Sequence, residues 1–335
     1  MQRPSYSPSR LAYFSKHSLQ ILCLVVILLG IFFRFYNLDK KVFWHDETYT
    51  AIAVSGYERD DARRDLILSL GLSTEELQDY QTIDSDDTTW EDTLESVAEE
   101  EPQNSPLYFL LSRFWVQLTQ TSVDSGMRLL SAVISLLTFP AAFWLCWELF
   151  QSVQVAWLGT ALIGISPIHL LYAQEARQYS LLTVATLVAS ALLLRVTQQR
   201  NPYLSLLNWL IYAILCTLGL YTQPFFLFVM VGHGVYILFQ KPFRFKTLLS
   251  YSLASILSVL VYAPWLYIIL TDLEAISGWR GDTELSFSGL IGRWLLNLSR
   301  IFADFYAGDL QNYDLIFSLI NPLLYLVLAL LLLVG

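Results

Sequence analysis

The sequence predicts an all-α polytopic membrane protein. Of its 335 residues, 55% are hydrophobic and only 15% are charged, and the mean hydropathy is +0.48. Apolar stretches recur along most of the chain, and each is long enough to cross a hydrocarbon core about 30 Å thick. The three cysteines all fall inside these stretches, so their placement does not indicate a disulfide framework. These observations favour a transmembrane helix bundle.

We predict eight spans from the hydropathy pattern. They cover residues 19–35, 128–150, 153–172, 180–196, 203–222, 224–240, 247–270 and 317–335. Residues 1–18 form a cytoplasmic N-terminus, because Arg3, Arg10 and Lys16 precede the first span without an acidic residue. Residues 19–335 form the transmembrane domain. The chain stops within an apolar run, and we expect the C-terminal part of the protein to continue beyond residue 335.

Positive charge sets the expected topology. With the N-terminus inside, the loops after the fourth and sixth spans are also inside, and both are basic. Their cations are Arg195, Arg200, Lys241, Arg244 and Lys246. The outer loops are then 37–127, 173–179, 221–223 and 271–316, facing away from the cytoplasm.

The first outer loop carries the acidity of the whole protein. Residues 37–104 contain 19 Asp and Glu against 5 Lys and Arg, which accounts for the formal net charge of −9. Most of these carboxylates are expected to be solvated, and the charge gives no indication of nucleic-acid binding. Residues 105–115 are apolar and aromatic but short, so we expect an interfacial helix that begins at Pro106. Residues 290–306 are a second candidate of this kind.

Two outer-loop sequences place charge next to apolar spans. Asp46 and Glu47 follow the first span closely, and residues 174–177 (QEAR) form a very short connection between the third and fourth spans. An Asp before an apolar helix is also an ordinary N-cap, and a Glu and Arg near helical spacing can simply pair. A carboxylate at the surface of apolar spans is costly, however, unless it is paired or used.

Four ordered motifs resemble the membrane glycosyltransferases of the GT-C class. Residues 43–49 (FWHDETY) look like the Asp-Glu motif of that class, and residues 104–111 (NSPLYFLL) are similar to its His-Pro-Pro-Leu element. Residues 128–132 (RLLSA) and 166–180 (SPIHLLYAQEARQYS) match the next two motifs at corresponding positions. The resemblance covers residues 19 to about 222. It is greatest to bacterial protein-mannosyltransferase-like and aminoarabinose-transferase-like enzymes.

This resemblance implies an inverting transfer of sugar from a polyprenyl-phosphate carrier at the outer face of the bacterial cytoplasmic membrane. Asp46 is the expected catalytic base. Glu47 is expected to orient the acceptor or to tune the ionisation of Asp46. Arg177 is suited to hold the carrier phosphate bidentately.

The remaining candidates are expected to contact the sugar or the carrier lipid. Glu175 would orient Arg177, contact the sugar or help to bind a metal. Tyr179 would contribute a hydroxyl or an aromatic wall, and Gln174 belongs to the same motif. Arg280 in the fourth outer loop would cover the lipid phosphate as part of a mobile lid. An interfacial helix anchored by Trp and Arg is an equally good interpretation of that loop.

Metal dependence is left open by the sequence. His45, Glu47 and Glu175 are weak candidate ligands, and weak binding of Mg²⁺ or Mn²⁺ remains open. The resembling enzymes often carry a His where this chain has Gln223, and an amide is a poorer transition-metal ligand than an imidazole. We therefore expect no tightly bound transition metal and name no certain cofactor.

Two alternatives are a polytopic transporter and a protein that binds polyprenyl lipid without turnover. Transporters usually place charged residues near the bilayer midplane, whereas here they gather at the outer ends of the spans. Asp46, Glu175 and Arg177 are all present, which disfavours a degenerate, non-catalytic protein. The sugar and the acceptor, whether protein, lipid or glycan, cannot be read from the sequence.

Overall fold

A computed structural model describes residues 10–68, 78–83, 87–198 and 202–271, together with residues 287, 290, 291, 294, 298 and 301. The regular structure within these ranges is helical and includes no strand. The α-helices are α1 (Arg10–Phe35), α2 (His45–Ser55), α3 (Arg59–Leu68), α4 (Trp90–Glu100), α5 (Leu107–Thr119), α6 (Val123–Leu136), α7 (Thr138–Phe150), α8 (Val153–Ile165), α9 (Pro167–Ala173), α10 (Tyr179–Gln198), α11 (Pro202–Thr222), α12 (Phe226–Phe239) and α13 (Phe245–Thr271).

Four helical segments in this part of the chain are long and apolar enough to cross a membrane. They are His17–Phe35, Val123–Phe150, Tyr179–Gln198 and Phe245–Thr271, and α8 with α9 adds a fifth if that bent pair counts as one span. Seven spans were predicted over the same residues. The predicted stretches are largely helical, but two of them, in Leu206–Thr222 of α11 and in α12, count only as shorter apolar helices. Helix α12 has 14 residues and is about 21 Å long, shorter than the hydrocarbon core. The eighth predicted span, 317–335, lies outside the described residues.

The chain divides into two compact units. The first comprises residues 1–165 and 169–280, and the second comprises 166–168 and 281–335. All the contacts described below lie within the first unit.

Helix α2 is held at its C-terminal end by a buried arginine. Gly56 ends the helix in the left-handed conformation, with φ at +86°. Arg113 of α5 donates to the carbonyl of Val54 at 3.2 Å and to Thr93 Oγ1 of α4 at 2.9 Å. Arg113 therefore joins α2, α4 and α5 at the C-terminal end of α2.

Helices α1 and α8 pack closely through two glycines and a buried arginine. Arg34 donates from Nη1 to the carbonyls of Gly30 at 2.9 Å and Gly164 at 2.7 Å. Its guanidinium also lies 4.6 Å from the centroid of the Phe139 ring. The side chain of Arg34 is buried, and the Gly164 carbonyl near the C-terminal end of α8 accepts one of its hydrogen bonds.

Replacing Gly30 with Ala is expected to destabilise the protein by about 1–3 kcal/mol. A Cβ atom there would lie 2.4 Å from the Gly164 carbonyl oxygen, and this backbone atom cannot move aside cheaply. Thermal unfolding in detergent measures the effect. Gly232→Ala is the matched control, since a Cβ there meets nothing within 4 Å. Equal melting temperatures for the two variants would contradict the proposed packing.

Candidate functional site

Asp46 lies in the first turn of α2 with its carboxylate partly open to solvent. The side chain is 34% exposed, and Oδ2 is 3.9 Å from Nη2 of Arg177. His45 Nδ1 is 3.4 Å from the other carboxylate oxygen of Asp46. The structure thus brings together the start of α2 and the segment between α9 and α10, which are 131 positions apart in the chain at Asp46 and Arg177.

Arg177 is buried in the short segment between α9 and α10. Its Nη1 donates to Thr50 Oγ1 at 2.8 Å and to the main-chain carbonyl of Asp46 at 3.4 Å. Glu101 Oε2 is 3.6 Å from the same nitrogen, and Arg177 Nε has no hydrogen-bond partner. Neither carboxylate forms a close bidentate pair with this guanidinium, whose charge is therefore not matched by a short ion pair.

Glu47 has a different environment from Asp46, although the two are adjacent. Its side chain is 1% exposed. Oε1 accepts from Arg128 Nε and from the Ala176 amide, each at 2.8 Å. Oε2 accepts from Arg128 Nη2 at 2.6 Å and from the Trp44 amide at 3.3 Å. Both oxygens of Glu47 are therefore occupied.

The other donors of Arg128 fix the segment that precedes α2. They bond the carbonyls of Leu38, Lys41 and Val42 at 3.0–3.1 Å. The Glu47–Arg128 pair consequently connects α2, α6, the segment before α2 and the segment between α9 and α10. Sequence reasoning did not identify Arg128 as the partner of Glu47, although Arg128 begins the motif at residues 128–132.

Glu175 is a half-buried carboxyl between several charges. Burial raises the pKa of Glu175 to about 7, and the negative charges of Glu47 and Asp46 add to this effect, while Lys41 and Arg177 oppose it. Burial also lowers the pKa of Lys41, which faces Glu175. Glu175 can therefore exchange a proton near neutral pH, and Lys41 is a charged neighbour that sequence reasoning did not identify.

The raised pKa of Glu175 predicts that stability falls as the pH rises. The ordinary pKa is 4.5, so between about 4.5 and 7 the folded state binds more protons than the unfolded state. Wild-type melting temperatures should decline across this window, and Glu175→Gln should make the decline shallower. Glu95→Gln removes an exposed carboxylate of α4 and should keep the wild-type profile. The same slope in all three proteins would refute the assigned shift.

Gln174, Tyr179 and Arg280 complete the predicted set. Gln174 Nε2 donates to the carbonyls of Phe33 at 2.6 Å and Tyr36 at 3.0 Å, so its amide nitrogen secures the end of α1. Tyr179 lies beside the guanidinium of Arg177, and its ring centroid is 4.3 Å from that of Tyr172. Arg280 lies outside the described residues.

A chain of amides extends from the site to the C-terminal end of α11. Asn104 donates to Glu101 Oε2 at 2.6 Å, and Gln178 donates to Asn104 Oδ1 at 3.0 Å. The same Gln178 nitrogen lies 2.8 Å from Gln223 Oε1. Gln223, noted for its departure from the resembling sequences, is thus connected to Glu101. No sequence pattern marked Glu101 or Thr50 as a site residue. Glu101 stands in an acidic cluster expected to be solvated, and Thr50 is an ordinary helical residue.

The candidate metal ligands do not form a coordination set in the described part of the chain. There, no group of three or more His, Cys, Asp or Glu side chains is arranged to hold a metal ion. His45 is 67% exposed at its side chain and packs against Tyr49, with ring centroids 4.0 Å apart and an angle of 59° between the ring planes. Both carboxylate oxygens of Glu47 already accept hydrogen bonds from Arg128 and from main-chain amides.

An open cavity of about 690 Å³ lies at the turn between α5 and α6. Amide and hydroxyl side chains predominate in its lining. The lining residues are Gln78, Gln81, Thr82, Ile83, Val116, Gln117, Gln120, Thr121, Ser122, Val123 and Asp124. None of them belongs to the Asp46–Arg177 cluster, so this cavity is separate from the candidate site.

Comparisons with protein-family models, curated proteins and solved structures find no match to this chain.

Proposed function

We propose that this protein is an inverting glycosyltransferase that moves a sugar from a polyprenyl-phosphate carrier to an acceptor. The described residues include apolar helices compatible with a multi-pass membrane protein. We place the active site at the outer face of a bacterial cytoplasmic membrane, with the N-terminus inside. This assignment rests on the motifs and on the charge distribution of the sequence.

One observation carries the proposal: Asp46 and Arg177 converge from two different outer loops. A partly exposed carboxylate 3.9 Å from a guanidinium whose Nε has no hydrogen-bond partner pairs a proton acceptor with a cation that can bind an anion. Glycosyl transfer from a lipid phosphate needs both kinds of group within one site. Glu175 joins this cluster as a carboxyl that titrates near neutrality.

The proposed reaction is a single displacement at the anomeric carbon. An acceptor hydroxyl attacks from the face opposite the phosphate, so a carbon–oxygen bond to the acceptor forms as the bond to the phosphate oxygen breaks. Asp46 takes the hydroxyl proton, and the electron pair of the broken bond remains on the carrier phosphate. Arg177 stabilises the charge that develops there.

The other side chains position these groups. Glu47 fixes the first turn of α2 through Arg128 and the Ala176 amide. Thr50 directs the Arg177 guanidinium. Glu175 and Tyr179 line the cluster and are assigned to the sugar, and Gln174 holds α1 against the second outer loop.

The transporter alternative receives less support from the buried histidine of α12. His233 of α12 contacts Ser190 of α10 at 2.9 Å and Tyr212 of α11 at 2.8 Å. These partners are neutral hydroxyl groups that join three helices. A substrate pathway through the bilayer would instead be expected to present paired charges or open polar surface.

Native mass spectrometry of the full chain, extracted gently with its lipids, tests the proposal. Wild type should retain a polyprenyl phosphate or its sugar-bearing form, and Arg177→Ala should lose it because the phosphate loses its cation. Arg195→Ala is the control, since Arg195 pairs with Glu148 near the opposite end of α10. If wild type holds no such lipid even after it is added, the glycosyltransferase assignment fails.

A further inference from the structure

Glu101 places a fixed negative charge on the guanidinium assigned to the carrier phosphate. Its Oε2 is 3.6 Å from Arg177 Nη1, and the side chain is only 18% exposed. Asn104 donates to the same oxygen at 2.6 Å, and Arg59 Nη1 lies 3.9 Å from Oε1. These contacts hold the carboxylate beside Arg177 in the absence of any ligand.

The contact between Glu101 and Arg177 is not needed to hold the arginine in place. Thr50 Oγ1 already accepts a hydrogen bond from Arg177 at 2.8 Å, and the carbonyl of Asp46 accepts a second at 3.4 Å. Glu101 adds charge without a close hydrogen bond to the guanidinium. Any phosphate on Arg177 would therefore lie near a carboxylate that repels it.

This repulsion grows with the charge on the phosphate. A polyprenyl-phosphate sugar is a phosphodiester with one negative charge. The carrier released after transfer is a phosphomonoester, whose second ionisation near pH 6 gives it about 1.5–2 negative charges at pH 7. A fixed carboxylate thus disfavours the product more than the donor.

We propose that Glu101 is a specificity-determining residue that distinguishes the donor phosphodiester from the spent phosphomonoester and speeds release of the latter. This inference rests on the proposed function, because it requires a phosphate at Arg177. Asn104 bonds both Glu101 and Gln178, so the carboxylate of Glu101 lies at one end of the chain of amides.

Glu101→Gln isolates the charge from the hydrogen bond. A glutamine oxygen can still accept from Asn104, whereas the negative charge next to Arg177 is gone. Glu100→Gln is the matched control at the adjacent position, because it also removes one negative charge from a glutamate. The Glu100 carboxylate accepts from the Asp60 amide at 2.9 Å and lies 4.0 Å from Arg59.

Binding of farnesyl phosphate and of its methyl phosphodiester to the purified full chain at pH 7.5 provides the test. Glu101→Gln should bind the diester about fivefold and the monoester about 25-fold more tightly than wild type. The monoester gains more because it carries about two negative charges, and the substitution removes the repulsion of each. Glu100→Gln should bind both probes as wild type does. Inorganic phosphate should compete only weakly, since it lacks the lipid.

The outcomes separate the inference from the proposed function. Equal gains for the two probes, or weaker binding of both by Glu101→Gln, would overturn the role of Glu101. The proposed function would survive that result if wild type binds the probes and Arg177→Ala does not. If Arg177→Ala binds them as well as wild type, or if inorganic phosphate binds as tightly as farnesyl phosphate, the lipid-phosphate site itself is wrong.

Discussion

Asp46→Asn is expected to lower the rate of sugar transfer by about 10²–10⁴-fold, the usual contribution of a general base. The amide cannot accept the proton of the acceptor hydroxyl, although it has nearly the same shape as the carboxylate. Binding of the donor should persist because Arg177 keeps its hydrogen bonds to Thr50 Oγ1 and to the main-chain carbonyl of residue 46. The variant should therefore accumulate the sugar-bearing lipid.

Turnover and bound-lipid mass are the two measurements for Asp46→Asn. Single-turnover transfer of sugar from the lipid that copurifies with wild type gives the rate, and native mass spectrometry identifies what each protein holds. Asp79→Asn, an exposed carboxylate of the first outer loop, should match wild type in both. Full activity of Asp46→Asn would remove Asp46 from the chemistry.

Glu47→Ala is expected to destabilise the fold by about 3–5 kcal/mol, the cost of leaving one member of a buried ion pair alone. Arg128 would keep its three backbone carbonyls but lose the carboxylate at 2.6 and 2.8 Å. The Ala176 amide would lose its acceptor as well. The second outer loop and the start of α2 would then separate, so unfolding and donor binding should change together.

A double-mutant cycle distinguishes the pair from the individual side chains. Glu47→Ala, Arg128→Met and the double variant are compared by denaturant unfolding in one detergent. The double variant should be less destabilised than the sum of the single variants, because no buried charge is left unpaired in it. Additive losses would show that the two side chains act independently. Glu95→Ala is the exposed control.

The helices were predicted well because their signal is local. The predicted spans 180–196, 203–222 and 247–270 correspond to the helices Tyr179–Gln198, Pro202–Thr222 and Phe245–Thr271. The free energy of transferring an apolar segment from water to the bilayer depends on its own residues and not on the helices that it later packs against. The predicted span 224–240 was longer than α12, because a turn precedes the helix at Phe226 and the backbone is already extended at Gln240.

The sequence by itself determined the helical class, the position of the apolar helices and the candidacy of Asp46, Glu175 and Arg177. Only the tertiary structure decided that Glu47 is committed to Arg128, that Gln174 secures α1 and that Glu101 reaches Arg177. The two residues of each of these pairs are 76 to 141 positions apart in the sequence. Hydropathy and charge are summed along the chain, whereas the pairing of charges follows from how the helices pack, and no local pattern encodes that choice.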